Sequence, residues 1–315
     1  MAHPFLKWAG GKRQLLPIIK KYYPFEDGYN KYIEPFVGGG AVLFDILDTY
    51  NIKEIYISDV NEDLINAYIV IQKYVDLLIK ELTAISKDYA LIDIVNKKQY
   101  FLTCRSEYNN IQNVLSQQKS IQIRKAALLI FLNRTCFNGL YRVNSKGEYN
   151  VSFGNYKKFE FDEDNIKDAS KKLQNVKIAC SSYNDMLKHI DNKTFIFMDP
   201  PYRPLTQSAS FNAYNKDVFK DQEQKELAEF AKTIDKLGAK FIVCNSDPHN
   251  VDPTDDFFDE LYKDFDVYRV SANRMINSKG SSRGSIKELL ITNYKPWVNP
   301  HGFCVFYNHF NVLTL

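Results

Sequence analysis

Long apolar runs are missing from this 315-residue chain. The longest clean one, Ala126 to Leu132, is a third of what a bilayer-spanning helix needs, about 20 residues. Met1-Ala2-His3-Pro4 leads directly into a polar, glycine-bearing stretch without an apolar signal core. Export and membrane insertion are therefore not expected, and the expected location is the cytoplasm. Cysteine is scarce and shows no pairing pattern: Cys104, Cys136, Cys180, Cys244 and Cys304 are widely separated, with no CxxC among them. An odd number of scattered cysteines fits free thiols in a reducing compartment and argues against a disulfide frame or a thiolate zinc site. The five histidines (His3, His189, His249, His301, His309) have neither HxxxH nor HExxH spacing, so no metal is expected. With 13 glycines and 11 prolines, and no repeat, the chain is neither fibrous nor low-complexity.

A large net charge is also missing, at +3, yet that total hides an uneven distribution. From Lys119 to Lys158 there are eight basic residues against the single acid Glu148, which leaves the rest of the chain net acidic. A second stretch, Tyr268 to Lys287, carries Arg269, Arg274, Lys279, Arg283 and Lys287 without an acid among them. Two basic segments on a mildly acidic body point to an anionic partner, with solvated loops as the plainer alternative.

Hydrophobic periodicity gives the organisation. A short strand at Tyr32-Ile33 runs into Glu34-Pro35-Phe36-Val37-Gly38-Gly39-Gly40 and then a helical pattern from Ala41 to Leu47. Glu54 to Ser58 alternates as a strand ending at Asp59, and Glu62 to Leu82 has helical spacing. Further strands are expected at Val176–Ala179, Phe195–Met198, Phe241–Cys244 and Glu288–Thr292, with a helix over Gln222–Leu237. This predicts an open α/β sheet, parallel in its βαβ part. The alternation lapses between residues 61 and 160, where helical stretches (Ile65–Leu82, Ser120–Leu132) give way to a basic segment, Phe137 to Val151. That segment alternates around Lys146-Gly147 and reads as an exposed hairpin. It is an insertion between two halves of the sheet.

Chemistry concentrates in a few places. Phe195 to Met198 is an apolar strand ending in Asp199-Pro200-Pro201-Tyr202, at the strand end where open α/β sheets bind ligands. Consecutive prolines stiffen the turn. The Asp199 carboxylate and the Pro200 carbonyl are acceptors and the Tyr202 ring is a stacking face, a receptor for a planar base bearing an amino group. Gly38 and Gly40 allow a cofactor to approach the backbone, and Asp59, 19 residues after Gly40, can accept hydrogen bonds from both ribose hydroxyls of a nucleoside cofactor. A nicotinamide enzyme is the competing reading, but no hydride-transfer partner accompanies the glycines. Lys7-Trp8-Ala9-Gly10-Gly11-Lys12-Arg13 is not a nucleotide phosphate loop, because Leu6 stands where its first glycine belongs and Arg13 replaces the magnesium-binding hydroxyl residue.

Taken in order, Phe5-Leu6-Lys7-Trp8-Ala9-Gly10-Gly11-Lys12, Glu34 to Gly40, Asp59-Val60-Asn61, Asn138-Gly139-Leu140-Tyr141-Arg142, Asp199-Pro200-Pro201-Tyr202 and Ser271-Ala272-Asn273-Arg274 resemble the motifs of Dam-type DNA adenine-N6 methyltransferases. They belong to the group with cofactor segment first, recognition domain next and catalytic tetrapeptide last. The likeness spans residues 5 to 295. It implies a Rossmann-like S-adenosylmethionine methyltransferase sheet from residues 1–60 and 161–297. A mainly helical recognition domain with a β-hairpin would be inserted at 61–160, leaving a tail, 298–315, without a derived role. It further implies that Trp8, Lys12, Asp59 and Asp199 contact S-adenosylmethionine, with Phe36 near its sulfonium, and that the hairpin with Asn138, Leu140, Arg142 and Asn144 reads duplex DNA. The GATC-specific members typically carry proline where Ser152 stands, so a GATC-like target is the expectation with that departure.

The residue chemistry runs the same way. Adenine N6 is a weak nucleophile because its lone pair is delocalised. Asp199 and the Pro200 carbonyl, each accepting one N6 hydrogen, would localise that pair for direct displacement of a sulfonium methyl. N6 is engaged in base pairing, so the adenine must flip out, and Tyr202 suits stacking on it. Arg142 could hold guanine O6 and N7, while Arg274, Lys279 and Arg283 suit phosphates. Transfer to cytosine N4, a catalytically silent DNA-binding module and methylation of a protein amide are the rivals. Asp at 199 favours adenine by resemblance, and the intact Asp199 and Tyr202 argue against a silent module. A monomer is expected, with a cognate restriction endonuclease as a conceivable partner.

Overall fold

A computed structural model describes residues 1–203, 219–273 and 285–296. Arg274, Lys279, Arg283, Cys304 and the tail from 298 fall outside the described residues. Among the described residues seven strands form one sheet: β1 (Lys31–Glu34), β2 (Glu54–Asp59), β3 (Val176–Cys180), β4 (Thr194–Met198), β5 (Lys240–Ser246), β6 (Asp266–Asn273) and β7 (Ser285–Thr292), in the order β3-β2-β1-β4-β5-β7-β6. The first five pair in parallel; β7 pairs antiparallel with β5, and β6 antiparallel with β7. The helices are α1 (Leu16–Ile19), α2 (Ala41–Thr49), α3 (Glu62–Leu91), α4 (Lys97–Asn110), α5 (Lys119–Thr135), α6 (Glu163–Leu173), α7 (Asp221–Lys236) and α8 (Phe257–Leu261).

Every residue of β4 is buried, as a central parallel strand covered on both faces requires. Alternate side chains serve opposite faces. Phe195 and Phe197 join a core formed with α2, α3, α5 and α6, while Ile196 and Met198 join a core formed with α7 and α8. Residues 61–160 do not build a separate core: Leu128, Phe131 and Tyr149 belong to the same cluster as Tyr32 and Phe195 of the sheet. Helix ends are capped as their sequences dictate. Asn61 Oδ1 accepts from Leu64 N at 3.0 Å and Asp162 Oδ1 from Asn165 N at 3.0 Å, each satisfying an otherwise orphaned amide.

From β1 the chain adds β2 and β3 on one side, then crosses to place β4 on the other side of β1. The strand order therefore reverses between β1 and β4, and the crevice at their carboxyl ends is where such sheets bind ligands. Glu34 ends β1 and Asp199 follows β4.

Three features differ from expectation. Strand β6 is not among the expected strands; its Tyr268 and Val270 pack against the core while Arg269 between them pairs with Asp247 and Asp259. The Phe137–Val151 hairpin carries only isolated bridges, Val143 to Tyr149 and Cys136 to Phe153, in place of a ladder. Its turn is closed by a side chain: Asn144 Oδ1 accepts from Lys146 N and Glu148 N. Finally, half of the basic charge between Lys119 and Lys158 serves α5 itself. Arg124 pairs with Glu81 and Glu107, Lys125 is buried against Asp63, Lys119 lies over the Tyr74 ring and Arg134 is half-buried. The exposed basic residues are Lys119 itself, Arg142, Lys146, Lys157 and Lys158. No helix among the described residues is long and apolar enough to cross a membrane.

Candidate active site

The Asp-Pro-Pro-Tyr turn is held from behind by a buried polar pair. Gln224 of α7 donates to the Pro201 carbonyl at 3.2 Å and accepts from Asn245 Nδ2 at 3.1 Å, while Asn245 Oδ1 accepts from Arg203 N. Both side chains are fully buried, so the turn is fixed by the sheet's own core. In front of it, Lys12 from the N-terminal turn (Lys12–Gln14) is only 4% exposed and places Nζ 2.7 Å from Asp199 Oδ1 and 4.0 Å from Glu288 Oε2. The same ammonium donates to the Gly10 carbonyl at 2.7 Å and lies over the Tyr202 ring. The Tyr202 hydroxyl donates to Glu288 Oε2 at 2.7 Å.

Burial pushes the Asp199 carboxyl up to about 6, against the pull of Lys12 and with a further push from Glu288. Burial also disfavours charge on Lys12, but the Asp199 and Glu288 carboxylates outweigh it and raise the ammonium above its ordinary value. Glu34, 2% exposed, takes the Tyr32 hydroxyl at 2.8 Å; burial lifts its carboxyl well above the usual range despite that bond. Asp199 Oδ1 is enclosed, with the Lys12 ammonium against it.

The glycine turn lies beside this cluster. Asp59 Oδ2 accepts from Gly38 N at 3.2 Å and Oδ1 from Asn61 N at 2.9 Å. Burial brings the Asp59 carboxyl to about 6, while those amides and that of Val60 pull it down. Gly40 has φ +73, and a Cβ there would collide with the Tyr68 hydroxyl, which is itself committed to the Gly38 carbonyl. Glycine is thus required twice over, by conformation and by space. The Trp8 ring abuts Gly38 and stacks on Tyr141 at 4.9 Å. Phe36 is half-buried between Tyr183 and Phe219. Past the end of β2 a cleft of about 270 Å³ opens, lined by Val60, Asn61, Asp63, Tyr108 and Tyr141.

Lys12, Asp199 and Tyr202 meet directly, and Trp8, Gly38 and Asp59 share the adjoining turn. Pro200 is buried. The hairpin stands on the side of Tyr141. Asn138, at φ +56, and Arg142 are exposed, and Arg142 Nε donates to Asn150 Oδ1 at 2.8 Å. Leu140 is half-buried against the core, and Asn144 is occupied in its own turn. Glu288, Gln224 and Asn245 carry no local sequence signal of a site; strand order and the packing of α7 bring them here, whereas Glu34 opens the glycine motif. Phe137, 57% exposed beside Asn138, is a further aromatic that the sequence alone does not single out. Away from the crevice, His249, Asp256 and Asp259 come together, but Arg269 occupies Asp259 with two hydrogen bonds, so the group is an ion-pair network.

Comparison with known proteins gives consistent results. Residues 8–276 match the family described as D12 class N6 adenine-specific DNA methyltransferase. The type II methyltransferase M.MjaIII of Methanocaldococcus jannaschii is 46% identical over 296 residues, covering 92% of this chain and 99% of its own. The type II methyltransferase M1.LlaDCHI of Lactococcus lactis subsp. cremoris is 35% identical over 294 residues, 92% and 95% of the two chains. The DNA adenine methylase of Escherichia coli is 32% identical over 294 residues, 93% and 96%.

Proposed function

The chain belongs to the D12 class N6 adenine-specific DNA methyltransferases and methylates adenine in DNA, and on that premise we propose how its residues do so. Its seven-stranded sheet is the Rossmann-like methyltransferase fold expected from the sequence. The cytosine-N4 and silent-module readings fall away with the family. S-adenosylmethionine supplies an electrophilic methyl on a sulfonium.

The residues present fit that donor. Two half-buried carboxyls, Asp199 and Asp59, both raised by desolvation, stand at the ends of β4 and β2 beside a glycine turn that leaves no room for a Cβ at Gly40. In our reading Asp59 holds the ribose hydroxyls, Trp8, Gly38 and Gly40 wall the donor, and Lys12 and Asp199 face its charged end. Phe36 lies near the sulfonium, a cation–π contact worth about 0.5–2 kcal/mol.

The flipped adenine enters between Tyr202, which stacks on it, and the acceptors Asp199 Oδ and Pro200 O, which take the two N6 hydrogens and aim the lone pair. The observation that carries this is the enclosed Asp199 carboxyl at the strand-order reversal, held 2.7 Å from Lys12. In our reading Phe137 and Asn138, both exposed, fill the space the base leaves. Arg142 reads a guanine of a GATC-like site, Asn144 shapes the turn that presents it, Leu140 anchors that turn, and Arg274, Lys279 and Arg283 hold phosphates. Two of the similar proteins are named type II methyltransferases, and a cognate restriction endonuclease is the proposed partner of this one.

Incubation with unmethylated duplex and S-adenosylmethionine, followed by digestion to nucleosides, is expected to yield N6-methyladenine from GATC-containing duplexes. Modification that maps to another sequence overturns the target, and N4-methylcytosine overturns the acceptor geometry. Arg142→Ala is expected to lower discrimination against a substituted guanine by about 10- to 100-fold, the worth of one bidentate base contact. An equal loss on every sequence would make Arg142 a phosphate contact.

A further inference from the structure

We infer that Glu288 is a positioning residue for methyl transfer: it offers Lys12 a second carboxylate, so that Asp199 can leave its ion pair and accept the N6 hydrogens of adenine. Lys12 Nζ lies 2.7 Å from Asp199 and 4.0 Å from Glu288. An Asp199 clamped by a buried ammonium is a poor acceptor for a neutral amine, because the cation already compensates its charge. A lysine this buried cannot simply be released, since an unpaired buried charge is costly. It needs a partner to move to, and Glu288 Oε2 is that partner.

The geometry supports a short exchange. The Tyr202 hydroxyl fixes Glu288 by donating to Oε2, the oxygen that faces Lys12, and the ammonium lies over the Tyr202 ring between the two carboxylates. Its bond to the Gly10 carbonyl can act as a pivot. Around these groups, burial pushes the Cys244 thiol of β5 and the Tyr202 hydroxyl further above their already high ordinary values, so neither adds a charge near pH 7, and burial pushes the Glu34 carboxyl of β1 upward as well. The inference rests on the reading of Asp199 as the N6 acceptor.

The test is Glu288→Gln in the full chain, measured as single-turnover methylation of duplex DNA at saturating S-adenosylmethionine from pH 5 to 9, with cofactor Kd and melting recorded. The rate at pH 7.5 is expected to fall about 10- to 100-fold while the Kd changes by less. The acid limb should move to lower pH, because Asp199 loses a repelling neighbour. Glu288→Asp, which keeps the charge, should recover a substantial part of the rate. A folded Glu288→Gln with unchanged rate and acid limb overturns the inference, as does an equal loss in Glu288→Asp with no shift of the limb, which marks packing alone. Retained transfer in Asp199→Asn would instead place the failure in the reading of Asp199.

Discussion

Asp199→Asn is expected to lose methyl transfer by at least about a thousandfold and yet to melt no lower than the unsubstituted protein at pH 8. The rate loss follows from the acceptor geometry. A carboxylate is a charged acceptor at both oxygens, whereas an amide keeps one neutral, weaker acceptor and turns its other position into a donor, so it polarises N6 far less and presents an N–H to Lys12 or to the base. Stability turns on the raised carboxyl. Its value in the fold is about 6, against about 3.9 for an ordinary aspartate. The folded chain therefore binds this proton more tightly, and the stability so gained is complete below pH 4 and lost as pH rises to 6. At pH 8 the ionised group is a burden that Asn does not carry, and Lys12 still has Glu288 within 4.0 Å. Nucleoside analysis after methylation and denaturant melts at pH 5 and pH 8 check both halves. Turnover within tenfold of the original would refute the lone-pair role, and a variant that loses stability relative to the original as pH rises from 5 to 8 would refute the electrostatic account.

A site residue is legible in the sequence where its signal is local. Asp199-Pro200-Pro201-Tyr202 can be read because an apolar strand, a stiff turn and a carboxylate are contiguous. The Gly38-Gly39-Gly40 turn with Asp59 can be read because strand, turn and helix lengths fix their spacing. Lys12 is different: its residue chemistry only excludes a phosphate loop, and its position rests on resemblance, since its partner Asp199 is reached through tertiary packing. Glu288 and Asn245 are invisible for a stronger reason. Their strands meet because β7 pairs antiparallel with β5, a choice that no local pattern encodes. Charge counting fails in a similar way. The basic run from Lys119 reads as one surface, but Arg124 and Lys125 answer to Glu81, Glu107 and Asp63, none of which lies in that run.

Asp59→Ala is expected to weaken S-adenosylmethionine binding by two orders of magnitude or more, with little change in non-specific DNA affinity. The carboxylate does two things at once. One oxygen accepts from Gly38 N and the other from Asn61 N, so it ties the glycine turn to the start of α3. In the proposed reading its remaining lone pairs take the ribose hydroxyls. Hydrogen bonds to a charged group contribute about 1.5–3 kcal/mol each, and losing those to two hydroxyls exceeds the roughly 2.7 kcal/mol that a hundredfold requires. Removing the side chain also leaves two amides without their acceptor in a buried site, at about 1–3 kcal/mol if water cannot replace it. A lower melting temperature in the absence of cofactor should therefore accompany the binding loss. Asp59→Asn separates the two effects. The amide can still accept from one backbone N–H but must turn a donor toward the other, so it should recover less than half of the lost stability and little of the affinity. Calorimetric titration with S-adenosylmethionine and cofactor-free melting curves decide the matter. Near-normal binding by Asp59→Ala would remove Asp59 from the cofactor site and leave it only the task of shaping the turn.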